Sequence, residues 1–246
     1  SHQNPMSYVN SNLIATFNIL EMSKKYQIRH LLFSSTSSVY GDSALIPFKE
    51  IDKTDEPLSF YAATKKSCEV MLHSYSHVYK IPVSVIRFFT VYGPWGRPDM
   101  ALFKFTKKII NNEEIEIYNN GDMRRDFTYI DDLIDGINSI IEKIPNNDLD
   151  AKLNIENDSL SKSAPFRILN IGNSNPINLI NYVDLIEEKL GLKAKRKFLD
   201  IQKGEVKDTW SDINLIYNLN GFKPKVNLSQ GIENFINWYK QYYKID

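Results

Sequence analysis

Between Tyr8 and Phe89 the spacing of apolar residues changes period from one segment to the next, and this alternation restricts the fold more than any other feature. Val9, Leu13, Ile14, Phe17, Ile19 and Leu20 lean to one side of the stretch Tyr8 to Met22, which predicts an amphipathic helix. Ile28 to Ser34 is a short apolar run that breaks into Ser35-Thr36-Ser37-Ser38, the pattern of a buried strand ending in a polar loop. Ser59 to Tyr79 reads as a second helix, stopped near Ile81-Pro82 because proline disfavours helical geometry in the residue before it. Val83 to Phe89 is a second strand. Helix, strand, helix, strand predicts an α/β fold with a doubly wound parallel sheet.

The second half is more broken. Helices are expected over 101–111, 130–144, 177–190 and 228–243, the last with Ile232, Phe235, Ile236 and Tyr239 at helical spacing. Short strands are expected at 116–118 and around 125–128, and the Asn/Asp/Ser/Lys-rich stretch 145–165 reads as an exposed insertion. The expected division is a first part in 1–95, joined by later returns of the chain, and a smaller α/β lobe mainly in 96–246. A hydrophobic share of 42% over 246 residues supports cores for both. Thirty basic against thirty acidic residues argue against nucleic acid or an anionic membrane as partner. A lone cysteine excludes an internal disulfide, and the four histidines share no ligand spacing, so no metal is expected. No apolar run approaches the roughly 18 residues that span a bilayer, and Ser-His-Gln-Asn-Pro is no secretory leader, which points to the cytoplasm.

Dinucleotide-binding sheets open with a strand, a glycine-rich turn and a helix N-terminus that receives the pyrophosphate. No G-x-G-x-x-G occurs, and the first expected element is a helix. Either the chain serves no dinucleotide, or it starts partway through such a fold.

Tyr61 and Lys65 stand four residues apart on one helical face, where an ammonium favours the phenolate and makes it a usable base. A half-buried Tyr61 beside a solvated Lys65 accounts for that pair equally well. The hydroxyl run 34–38 ends one predicted strand and Arg87-Phe-Phe-Thr-Val-Tyr-Gly-Pro94 ends the next. In a parallel sheet those ends open into one crevice, so hydroxyls and the tyrosine should converge.

Four motifs, in order, carry a resemblance over essentially the whole chain: Ser35-Thr-Ser-Ser-Val-Tyr-Gly41, Tyr61-x-x-x-Lys65, Arg87 through Ala101, and Arg125-Asp-Phe-Thr-Tyr-Ile-Asp-Asp132. The sequence resembles the extended short-chain dehydrogenase/reductases, and within them the NAD-dependent nucleotide-sugar epimerases and dehydratases, nearest the UDP-glucuronate 4-epimerases. Asn4 to Asn12 resembles a stretch that follows the family's first four strands, so the expected Rossmann-type sheet is N-terminally incomplete, short of roughly 80 to 90 residues that include the glycine-rich loop.

The resemblance implies inversion at C4 of a UDP-sugar by transient oxidation with NAD as cofactor. It makes Tyr61 the base, Lys65 its activator and a nicotinamide-ribose ligand, and Thr36 the partner of the sugar 4-oxygen. Ser37 and Ser38 would line the sugar site, and Asn12 and Phe88 would touch NAD. Thr90 would meet the diphosphate or sugar, Arg125 the phosphate, and Glu116 and Tyr118 the uracil from their strand. Gln202 and Glu205 fall where the family has a ribose and phosphate cluster, and Arg97 is a candidate for the substrate carboxylate. Arg124 reads as solvated charge, Cys68 and Met71 as core. Relatives that dehydrate or decarboxylate carry acidic residues at 37–38, a role serines cannot fill at neutral pH. Alternatives are a catalytically silent chain that binds sugar nucleotide or a partner, and a UDP-N-acetylhexosamine 4-epimerase. The resemblance also implies a homodimer through helices 8–22 and 59–79, and the truncated sheet predicts poor solubility or a partner that holds the chain.

Overall fold

The computed structural model of the protein describes residues 4–42, 45–150, 153–201 and 206–245. Its first helical arm is interrupted where the spacing predicted one regular helix. Pro5–Tyr8 (α1), capped by the Asn4 side chain, leads into a π-helical turn, Val9–Ile14, and then Ala15–Lys25 (α2). A π turn holds an extra residue and rotates the faces on either side of it, which periodicity counting does not register. Asn12 lies in that turn and donates to Thr64 Oγ1 at 2.8 Å.

Strand Leu31–Thr36 (β1) runs into a 3-10 turn, Ser37–Tyr40, and helix Phe60–Tyr79 (α3) follows after a long connection. Lys80 ends α3 in the left-handed region, φ 56°, ahead of Pro82. Then come Val83–Phe88 (β2), Thr90–Tyr92 (β3), Ala101–Ile110 (α4), Glu114–Ile117 (β4), Arg124–Tyr129 (β5) and Ile130–Ile141 (α5). The remainder comprises Asn147–Asp150 (α6), Phe166–Ile171 (β6), Pro176–Asn178 (β7), Leu179–Leu190 (α7), Lys195–Phe198 (β8), Asn214–Asn220 (α8) and Leu228–Tyr243 (α9). No helix among the described residues is long and apolar enough to cross a membrane.

β1, β2 and β6 form a parallel sheet, with Leu31 opposite Val83 and Val83 opposite Phe166. Helices cover both faces. Val83, Val85 and Phe166 pack with Leu20 of α2 and Leu72 of α3, while Ile86, Leu169 and Ile171 pack with Leu133 and Ile140 of α5 and Leu215 and Ile216 of α8. Burial on both sides is why β2 reads as a near-continuous apolar run. A second group pairs β3 with β5 in parallel and β5 with β7 antiparallel, and β4 pairs with β8. Over it α4, α7 and α9 bury a second core that includes Phe103, Phe127, Tyr182, Ile186 and Phe235. β3 starts two residues after β2 ends, so the chain steps from the carboxyl edge of one sheet straight into the other.

Stretch 145–165 is tied down more firmly than its composition predicts. Ser161 N–H donates to Phe166 O, Ile168 N–H donates to Ser159 Oγ, and the buried Arg167 pairs with Asp158 and Asp150. Residues 158–161 thereby lie against β6, a strand with one sheet neighbour among the described residues, and shield part of an edge that would otherwise stand open.

Candidate active site

Ser59 caps α3, its hydroxyl accepting from Ala62 N–H at 3.1 Å, and so sets Tyr61 in the helix's first turn at the sheet's carboxyl edge. The Tyr61 ring meets Tyr8 edge to face at 5.9 Å between centroids. One turn on, the Lys65 ammonium sits over the Phe33 ring of β1 at 4.3 Å. Burial draws its pKa below the ordinary lysine value, against the opposing influence of Cys68 and then of Glu69.

Thr36 closes β1 and caps the turn that follows. Its Oγ1 accepts from Ser38 N–H at 3.2 Å and donates to Ser38 Oγ at 3.1 Å, and Thr36 stands opposite Phe88 across the β1–β2 pair. Phe88 itself packs against the core under α5 and α8.

A cavity of about 380 Å³ opens on the other side of β3, lined by Thr90, Glu116, Tyr118 and Arg125 together with Met100, Lys104, Lys108 and Met123. The Tyr118 hydroxyl donates to Glu116 at 3.0 Å, and Arg125 is steadied by the carbonyls of Arg124 and Lys207 at 3.0 and 2.8 Å. Tyr118 falls just beyond β4, which ends at Ile117, because the backbone turns over at Asn119 and Asn120 with positive φ. Thr36, Ser37, Ser38 and Tyr61 are outside this lining. Thr90 and Arg97 share a smaller adjoining cavity.

Arg97 lies in the connection between β3 and α4, exposed and paired with Asp99 at 2.5 and 3.0 Å. Those hydrogen bonds to Asp99 raise its pKa. Arg124, expected as solvated charge, is instead paired with Asp208 at 3.0 Å, while Cys68 is buried, as expected of a core residue. Gln202 and Glu205 lie outside the described residues.

The NAD dependent epimerase/dehydratase family matches residues 1–155. The chain belongs to that family. Over 246 residues it is 46% identical to protein CapI of Staphylococcus aureus, spanning 99% of this chain and 73% of that one. It is 46% identical over 244 residues to a probable UDP-glucuronate 4-epimerase of Rhizobium meliloti, covering 99% of this chain and 72% of that one. Among solved structures, the UDP-glucuronic acid 4-epimerase of Bacillus cereus, in complex with UDP-glucuronic acid and NAD, superposes with a TM-score of 0.79 at 33% identity, over 96% of this chain and 69% of that one.

The residues of this family member fit the cofactor in one testable respect. Lys65 is half-buried and, among the described residues, hydrogen-bonds nothing and forms no ion pair. Such an ammonium suits the hydroxyls of a ribose. Sequence reasoning missed Lys104 and Lys108, one turn apart on α4 and both facing the cavity. Their spacing is visible in the sequence, but a lysine beside a cavity and one in open solvent read alike.

Proposed function

We propose that the site inverts C4 of a UDP-sugar and that the interconverted pair is UDP-glucuronate and UDP-galacturonate. The observation that carries the reading is the Lys65 ammonium over Phe33 of β1, one turn along α3 from Tyr61, with a cavity of about 380 Å³ lined by Thr90 and Arg125. NAD, when bound, supplies a reversible hydride acceptor at the sugar carbon. The Tyr61 phenolate takes the 4-hydroxyl proton and later returns it, Lys65 favours that phenolate, and the Thr36 hydroxyl holds the 4-oxygen. Asn12, Lys65 and Phe88 would hold the cofactor, and Ser37 and Ser38 the sugar. Arg125 presents a fork suited to a diphosphate, with Glu116 and Tyr118 at the base end of the cavity.

An acidic sugar is favoured by Arg97, a cation that lines the cavity adjoining Thr90. Ser37 and Ser38 supply neither the acid nor the base that elimination or decarboxylation needs. Residues 1–95 on this reading serve mainly the cofactor and 96–246 mainly the sugar nucleotide, and two copies pair through the helices of 8–22 and 59–79. Incubation of the enzyme with NAD and UDP-glucuronate, followed by carbon-13 NMR, should give UDP-galacturonate with all six sugar carbons retained. Carbon dioxide or a pentose nucleotide among the products would refute it.

A further inference from the structure

Below the tyrosine runs a buried polar assembly that the reaction above does not use. Glu69 follows Tyr61 and Lys65 at successive four-residue steps, so the three share one stripe of α3. It is 2% exposed. Its Oε1 accepts from Ser35 Oγ at 2.6 Å and Arg87 Nε at 3.0 Å, and its Oε2 accepts from Arg87 Nη2 at 2.8 Å. Ser35 and Arg87 stand opposite each other in the β1–β2 register, and Ser35 directly precedes Thr36. One carboxylate therefore ties together the hydroxyl end of β1, the end of β2 and the helix that bears the candidate base. Arg87, 1% exposed, also lies over the Tyr40 ring at 4.7 Å, and the Tyr40 hydroxyl donates to Asn170 of β6 at 2.7 Å.

Stability alone is a poor reason for this arrangement, since apolar side chains of similar volume hold a core as well as a desolvated ion pair or better. What a doubly hydrogen-bonded carboxylate adds is fixed angle and register. The charges around it are Lys65 and Lys66 on α3, Lys66 Nζ at 3.9 Å, and Arg87 on β2, with Cys68, Glu50, Tyr40 and Asp55 as neighbouring titratable groups. We propose that Glu69 is a positioning residue, which sets the Thr36 end of β1 against Tyr61 and places a carboxylate one turn from Lys65 on the same stripe of α3. The proposal rests on Tyr61 being the base.

Two readouts test it, on protein isolated in the form its cell makes. The pH dependence of Lys65 acylation, followed by peptide mass spectrometry, requires neither NAD nor sugar. In Glu69→Gln its midpoint should fall by about one pH unit, a roughly tenfold rise in labelling at a fixed lower pH. Ser35→Ala should leave that midpoint alone. In the NAD-loaded enzyme, kcat for C4 inversion should fall about 30-fold in Glu69→Gln and about fivefold in Ser35→Ala, with KM for the sugar nucleotide held within about twofold. Glu69→Asp, which keeps the charge but shortens the reach, should restore the Lys65 midpoint and not kcat. Unchanged Lys65 titration and unchanged kcat in a folded Glu69→Gln variant would overturn the proposal. Should that variant not fold, an unchanged kcat in Ser35→Ala overturns it. An enzyme that inverts no UDP-sugar would refute the proposed function instead, and the Lys65 titration would still judge Glu69.

Discussion

Glu50 shows how burial writes a pH dependence into a single side chain. It is 6% exposed, its Oε1 accepts from Asn170 N–H at 2.9 Å, and burial pushes its carboxyl up to about 7. An unfolded glutamate titrates near 4.3, so between those values the folded chain keeps a proton that the unfolded chain has lost. The group thus removes stability as pH rises through that window, a penalty on the order of 3 kcal/mol above about 7. Glu50→Gln keeps an acceptor and loses the charge. Calorimetric melting should give equal Tm for variant and parent near pH 4 and a Tm several degrees higher for the variant at pH 8, whereas a constant offset would exclude this account. For the chemistry, Tyr61→Phe should lower kcat by about 10³ with UDP affinity intact. Arg125→Ala should instead weaken UDP binding about tenfold or more, measured by titration calorimetry, since a charged hydrogen-bond partner is lost. Tyr61, Lys65 and Thr36 were legible as candidates because helical spacing and strand ends are local features. Lys104 and Glu69 were not, since each matters through a neighbour far away in the chain.

Helices and strands differ in how plainly they announce themselves. α9 occupies the residues that its apolar period marked, 228–243, because sixteen residues give a face enough turns to repeat. β3, β7 and β8 went unread, as three or four residues carry too little alternation. β6 and α8 were passed over as well. Caps and close approaches then set where elements sit. Ser59→Ala should cost about 1 kcal/mol by thermal melting and loosen the turn that holds Tyr61, lowering kcat more than it raises KM. Gly231 lets α9 lie against β3, where an added Cβ would come within 2.1 Å of the Tyr92 hydroxyl. Gly231→Ala should therefore destabilise the protein by roughly 1–3 kcal/mol, read as an earlier denaturant midpoint, despite the better helix propensity of alanine.

At the scale of the molecule, apolar side chains remain uncovered on the helices proposed to pair: Phe17 is 45% exposed and Val70 60% exposed. Sedimentation should find a dimer, and Phe17→Glu with Val70→Glu should yield monomers, because burying two charges opposes association. A monomeric parent would refute the pairing. The sequence by itself determined the α/β class and the long helices, since periodicity is a property of neighbouring residues, and short spacing offered Tyr61 and Lys65 as a pair on one helical face. Only the tertiary structure decided that Thr90, Glu116, Tyr118 and Arg125 share one cavity, and that a single carboxylate joins β1, β2 and α3. Those meetings join residues up to tens of positions apart, and they follow from which strands pair and which faces are buried.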